Sequence, residues 1–337
     1  MRSPLQGGMP LRDAVVGAVV EIACDESGFS GTNLLRSTAP VITHASVDLT
    51  VDEAVALIAT LRSSFRFSPH ELKSGRFLRG SGADEALGWL RTALTGRAHV
   101  HLIDKEFFLV TRIVDLLLVE PSYAAGTRLA GEHRPAALAL YDARHAAGND
   151  WDAFLTAFVD CVRMKRRLPV HQTVRRFFEA RDALLRHRLG AAVDDVLAGL
   201  SPGHVRAVLA RLDNDDRAIP PPLEPLLPAL AETVLSWSSG RRQVLVTHDE
   251  QSALTADRLT RLQRILADGS SAWPANAGRA GALPDGVSPL AGLVMVDSRD
   301  DPRVQVADLL AGVARRMPGI IDDALRQPPP TPPRTGR

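Results

Sequence analysis

Cysteine is almost absent: the 337 residues hold only Cys24 and Cys161, with no CxxC pair. That excludes a disulfide framework and a thiolate zinc centre, and a reducing cytoplasm is the default expectation. Lysine is scarce too, since only Lys73, Lys105 and Lys165 stand among the 40 basic residues. A compact ammonium kept where arginine has taken nearly every other basic position marks a place that a broad guanidinium fork does not suit. Long apolar runs are missing as well. The longest, Ala14 to Cys24, is broken by Glu21, so neither a membrane span nor a signal-peptide core is expected. No HxxH or HExxH motif points to zinc. A net charge of +1 excludes a chain that is acidic or basic throughout, while 45% hydrophobic residues suit a globular protein of one or two domains.

What is present is a series of apolar runs that end in acid. Val19 to Gly28, VVEIACDESG, is too short for a helix and rich in β-branched residues, which predicts a buried strand delivering Asp25 to its carboxyl end. In open α/β sheets that edge opens into a crevice where ligands bind, though a turn closing a hairpin is the competing reading. Pro40 to Asp48 reads as a second strand. Val51 to Arg62 reads as a helix capped by Thr50 with an acid pair in its first turn. The ELKSG segment, Glu71 to Gly75, follows. Ala83 to Leu94 reads as a helix started by Ser81, and His99 to Ile103 as a strand leading into Asp104 and Lys105. Phe107 to Val119 is apolar enough to be a buried helix.

From Arg134 to Trp237 the periodicity is helical, with helices expected at Trp151 to Met164 and Thr173 to Arg188 and a Pro-rich break from Asp213 to Pro228. Strand patterns resume at Gln243 to Thr247, running into His248 and Asp249, and at Leu293 to Val296, running into Asp297 and Ser298. A helix is expected from Thr255 to Ala267, a Gly, Ala and Pro-rich loop from Gly269 to Pro289, and a last helix from Val304 to Arg316 carrying Asp308. The expected organisation is a flexible N-terminus (1–18), a discontinuous α/β domain (19–133 and 238–320), an all-helical insertion (134–237) and a Pro-rich tail (321–337).

Sequence-distant carboxylates at strand ends can converge, and once together they repel unless a cation compensates them. Hard oxygen donors in that number suit Mg²⁺ or Mn²⁺, and a pair of such ions activates water and stabilises a leaving oxygen in phosphodiester cleavage. If Asp25 and Asp249 meet, their strands must be neighbours in the sheet. Asp297 has a competing role as a turn acid in SRDDP. His44, His99, His101 and His248 read as structural residues, with His248 best placed for more. The segment Arg163 to Arg188 holds nine basic residues against two acids. It suits phosphate contact through Arg166, Arg167, Arg175 and Arg176, or a solvated helix face.

DESG at Asp25 to Gly28, ELKSG, the strand into Asp104-Lys105, the strand into Asp249, and VDSRDDPRVQVADLLAG at Val296 to Gly312 together resemble the uncharacterised family called domain of unknown function 3800. The closing Asp297, Ser298, Gln305, Ala307, Asp308 and Gly312 are the most specific part. The resemblance covers about Val19 to Val119 and Gln243 to Arg316. It implies a ribonuclease H-like mixed β-sheet flanked by helices. It also implies site acids at Asp25 on the first strand, at Asp104 or Asp249 on a later strand end, and at Asp308 on the last helix. Glu71, Lys73 and Lys105 complete the candidate set, Asp25, Asp249 and Asp308 are the candidate ligands of Mg²⁺ or Mn²⁺, and the expected activity is that of a nuclease. A binding module for nucleic acid or protein on the same scaffold, without catalysis, is the alternative. A phosphoaspartyl phosphatase is a lesser one, since no lysine follows Lys165 where that chemistry needs one.

Overall fold

The computed structural model describes residues 19–29, 34–35, 39–65, 73–270 and 282–320. Glu71, both terminal segments and most of the Gly269–Pro289 loop lie outside the described residues. In chain order the elements are β1 (Val19–Ser27), β2 (Val41–Val47), α1 (Val51–Ser64), α2 (Ser74–Phe77), α3 (Ala83–Leu94), β3 (Ala98–Asp104) and α4 (Lys105–Leu117). Then come α5 (Arg134–Asp142), α6 (Arg144–Ala147), α7 (Asn149–Val162), α8 (Val170–Arg186), α9 (Ala191–Gly199), α10 (Pro202–Asp213) and α11 (Leu226–Ser238). The chain returns to the sheet with β4 (Gln243–Asp249), α12 (Ala256–Ser270), β5 (Leu290–Val296) and α13 (Pro302–Arg316).

The chain divides into two compact units. One holds the described residues of Met1–Gly28, Val41–Leu102 and Ala229–Arg337, the other those of Phe29–Pro40 and Ile103–Pro228. The first contains a five-stranded mixed sheet in the order β3-β2-β1-β4-β5. Its β1 runs antiparallel to β2 and parallel to β4, and β4 runs parallel to β5. The strands expected to meet are therefore neighbours, with Val19 opposite Gln243 and Cys24 opposite His248.

Side chains alternate across a sheet, so Ala23 faces one side and Cys24 the other. On the Ala23 side α13, α1 and α3 close a core of Ala45, Val47, Leu61, Leu90, Leu94, Leu309 and Val313. The α1 helix begins with a reciprocal capping box. Thr50 Oγ1 accepts from the Glu53 N–H at 3.2 Å, and the Glu53 carboxylate accepts from the Thr50 N–H at 2.7 Å. Ser81 does not start α3; Gly82 is its N-cap and supplies no side-chain bond.

The second unit is helical, with no strand among its described residues from 105 to 228. Its extent differs from the 134–237 expected. Helix α4 belongs to it, packing on α5, α7 and α10. Helix α11 belongs mostly to the sheet unit, because Trp237 Nε1 donates to Ser46 Oγ on β2 at 2.8 Å. A stacked aromatic pair, Phe154 on Phe177, joins α7 to α8. Three charged residues of α4 are buried, Lys105, Arg112 and Asp115, the last accepting from the Gly126 N–H at 2.9 Å and facing His133 Nδ1 at 3.2 Å. That aspartate and histidine line a pocket of about 350 Å³ together with Glu120, Ser122 and Leu129. None of the described helices is long and apolar enough to cross a membrane.

Candidate active site

Asp25 and Asp249 are the next residues along β1 and β4 after the paired Cys24 and His248, and both lie on the Ala23 side of the sheet. The third acid comes from α13, which packs across β1 and β2 on that side and begins at an Asp301 cap. Asp308 sits one turn before Gly312 on this helix.

Small residues set how closely α13 can approach. A Cβ on Gly312 would lie 2.5 Å from Ser74 Cβ and closer still to Ser74 Oγ, so only glycine lets α13 lie against the start of α2. Gly28 has a φ of +99° and an added Cβ there would meet Arg315 Cδ at 2.6 Å. Two hydrogen bonds tie the helix down. Arg315 Nε donates to Ser27 Oγ at 3.0 Å, and Thr43 Oγ1 donates to the Ala311 carbonyl at 2.7 Å. The DESG, KSG and ADLLAG segments thus pack on one another, and that packing carries Lys73 to Asp308, with Nζ 3.2 Å from Oδ2. The ammonium is 55% exposed and the carboxylate 22%, so the pair sits at the mouth of the site.

Electrostatics show that the three acids share one field. Asp25 is only 5% exposed. Burial first, then the charges of Glu26, Asp308 and Asp249, push its carboxyl up to about 9, against a bond from the Glu26 N–H. Burial also raises Asp249; the N–H groups of Ser298 and Glu250 pull it back, while Asp297 and Asp308 push it further up. The Ser298 N–H reaches Asp249 Oδ1 at 2.9 Å. Beside them Cys24 is fully buried, its thiol held well above the ordinary range by burial and by Asp25, which leaves it inert as a nucleophile.

The chain matches no family model, no curated protein and no solved structure.

The other expected site residues fall elsewhere. Asp104 caps α4, accepting from the Phe107 N–H at 2.8 Å and from the Tyr141 hydroxyl at 3.0 Å. Lys105 is buried and donates to the Ala39 carbonyl at 2.8 Å. Both side chains are taken up by structure within the helical unit. Asp297 accepts from the Arg299 N–H and guanidinium, as a turn acid does. Gln305 Nε2 lies 3.5 Å from the Arg299 carbonyl. In the basic segment, Arg166 is 7% exposed, donates to the Cys161 carbonyl and pairs with Asp213, so it holds the fold together. Arg167 and Arg176 are exposed, and Arg175, 68% exposed, pairs with Glu179.

Sequence reasoning missed what lies behind the acids. On the Cys24 side of the sheet His44 and His248 are fully buried, their Nε2 atoms 3.2 Å apart. Neither a spacing motif nor a helical period marks them; the visible signal was a histidine in each of two expected strands, one of which, the strand into Asp249, was expected beside β1.

Donor chemistry at the acid edge suits a hard divalent cation, being oxygen throughout and short of positive charge around Asp25. The ligand set is not closed. Among the described residues no three His, Cys, Asp or Glu side chains stand close enough to hold an ion, and Asp308 is engaged by Lys73.

Proposed function

We propose that the carboxylate edge of the sheet binds Mg²⁺ or Mn²⁺ through Asp25, Asp249 and Asp308, and that the protein is a metal-dependent phosphodiesterase acting on nucleic acid. The observation that carries this reading is Asp25 itself, a buried carboxyl lifted to about 9 by burial and by the neighbouring acids. Nature rarely leaves such a group uncompensated, and perturbed carboxyls in a cluster are a mark of functional sites. The arrangement also supports the ribonuclease H-like resemblance, whose acids are required at the first strand, a later strand end and the last helix. A bound cation would supply Lewis-acid polarisation of the phosphate and a water of lowered pKa.

The chain's own groups divide the remaining work. Asp249 is held in place by the Ser298 N–H, which fixes its carboxylate before any ligand arrives. Lys73 meets Asp308 as a movable point charge, able to pass from the carboxylate to a phosphate oxygen once Asp308 is engaged elsewhere. Exposed Arg167, Arg175 and Arg176 offer sequence-independent contact to a phosphate backbone. A phosphoaspartyl enzyme is disfavoured because no lysine follows Lys165, where that chemistry needs one after the Thr247 strand.

Two observations favour the non-catalytic alternative: the Lys73–Asp308 pair satisfies that acid without a cation, and among the described residues no three His, Cys, Asp or Glu side chains stand close enough to hold an ion. Calorimetric titration with Mn²⁺ separates the two readings. Binding that disappears in Asp25→Asn and Asp308→Asn, with cleavage of single- or double-stranded RNA or DNA that follows Mn²⁺ occupancy, is expected of the enzyme. No heat from the wild type would leave only a binding module.

A further inference from the structure

Behind the acids, the hydrogen-bond donors and acceptors can be assigned one by one. His248 Nδ1 lies 2.9 Å from the Asp249 carbonyl oxygen, which only accepts, so Nδ1 carries the proton. With a neutral ring, His248 Nε2 is then an acceptor. His44 Nε2, 3.2 Å away, must donate to it. That leaves His44 Nδ1 as the acceptor of the Thr233 hydroxyl at 2.8 Å. With both rings neutral no other assignment satisfies all three hydrogen bonds. The ring centroids lie 5.3 Å apart with the planes 25° from parallel, the nitrogen edges facing each other, and both rings are fully buried. They come from β2 and β4 and meet across β1.

The relay ends at a useful place. Pairing of β4 with β1 stops at His248, so the Asp249 peptide has lost its partner on that side. The His248 ring holds its carbonyl while the Ser298 N–H holds its carboxylate. We infer that Thr233, His44 and His248 are positioning residues that set the peptide plane of Asp249 and thereby aim its carboxylate. Their role toward a cation rests on the function proposed above; their hold on Asp249 does not. Groups behind a ligand that fix its orientation change metal affinity by about 10- to 100-fold when removed.

The test uses the full chain with ¹⁵N-labelled imidazoles, first in metal-free buffer. Long-range ¹H–¹⁵N spectra should show His248 protonated at Nδ1 and His44 at Nε2; the opposite tautomer at either ring overturns the relay. Next, amide exchange of Ser298 reports whether Asp249 Oδ1 still holds it. Exchange should quicken in His44→Leu and in the near-isosteric Thr233→Val, and stay close to wild type in His44→Gln, whose amide can both donate and accept. If His44→Leu fails to fold, Thr233→Val against His44→Gln decides alone. Unchanged Ser298 protection in the folded variants overturns the inference. Mn²⁺ titration then follows, with binding about tenfold weaker expected in Thr233→Val and rescue in His44→Gln. A wild type that binds no Mn²⁺ would remove the proposed function, while the tautomer and exchange results would still decide the relay.

Discussion

Replacing Asp25 by Asn should stabilise the metal-free protein, and should do so more as pH rises. The wild-type carboxyl titrates near 4 in the unfolded chain and at about 9 in the folded one. A group raised in this way lends its full stability below pH 4, and that stability is lost as pH climbs toward 9, because the folded state must either keep a proton that the solvent no longer supplies freely or bury a charge. Each pH unit in the window costs about 1.4 kcal/mol for one proton, so by pH 7 the loss approaches roughly 4 kcal/mol, a ceiling because part of the rise depends on the charges of Glu26, Asp308 and Asp249. Asn keeps the shape and the bond from the Glu26 N–H but does not titrate. Denaturant unfolding in chelator at pH 5, 6, 7 and 8 should therefore show wild type falling away from Asp25→Asn by up to about 1.4 kcal/mol per pH unit. With Mn²⁺ at a hundredfold over its dissociation constant the gap should narrow by about 2.7 kcal/mol at each pH, since wild type alone gains that much by linkage. Parallel pH profiles for the two proteins would refute the claim that Asp25 is raised by burial and by its neighbours, and the carboxylate site would lose its foundation.

Gly312→Ala should cost about 1 to 3 kcal/mol by urea unfolding, because the new methyl overlaps Ser74, and adding Ser74→Gly should recover much of that loss. Arg166→Ala should lower stability by about 1 to 3 kcal/mol while leaving polynucleotide affinity alone, since its guanidinium is bonded to the Cys161 carbonyl and Asp213. The triple change of Arg167, Arg175 and Arg176 to Ala should do the reverse, flattening the slope of log affinity against log salt by roughly 0.7 to 0.9 for each phosphate no longer neutralised. Equal slopes would show that this face is merely solvated. Asp115→Ala should destabilise by about 3 kcal/mol, because it leaves the buried Arg112 with the charge of Glu224 alone to offset its burial.

Much of the fold was legible because its signals are local. Thr50 and the acids after it announce α1, and short β-branched runs announce β1, β4 and β5, whose observed bounds lie within a few residues of those expected. The adjacency of β1 and β4 followed from asking where the acids must go. What was not legible depended on tertiary neighbours. The helical unit extends over other bounds than those expected because α4 and α11 are buried on nearly every side, and sequence alone cannot say which body such a helix joins. Asp104 looks like Asp249 in sequence, a strand-end acid before a helix. Only the Tyr141 hydroxyl and the α4 amide waiting for it show that its oxygens are already taken. Arg166 and Arg167 are adjacent and chemically identical, yet one is 7% exposed and the other lies open to solvent, a difference made by Asp213 far along the chain.

The two-residue period of a strand explains how acids and imidazoles coexist a few ångströms apart. Cys24 and Asp25 point to opposite faces of β1, as His248 and Asp249 do on β4, so each strand delivers one carboxyl group to the face covered by α13 and one neutral group to the other face. Burial holds His248 near 4 and His44 well below its ordinary value. The rings therefore stay uncharged across the neutral range and add no field of their own to the acids. Placed behind the sheet, they stiffen the strand end without competing for it. A one-residue slip of β4 against β1 would exchange the two faces, burying Asp249 among the rings and exposing His248. The β4–β1 register is thus the single feature on which both the acid edge and the relay depend.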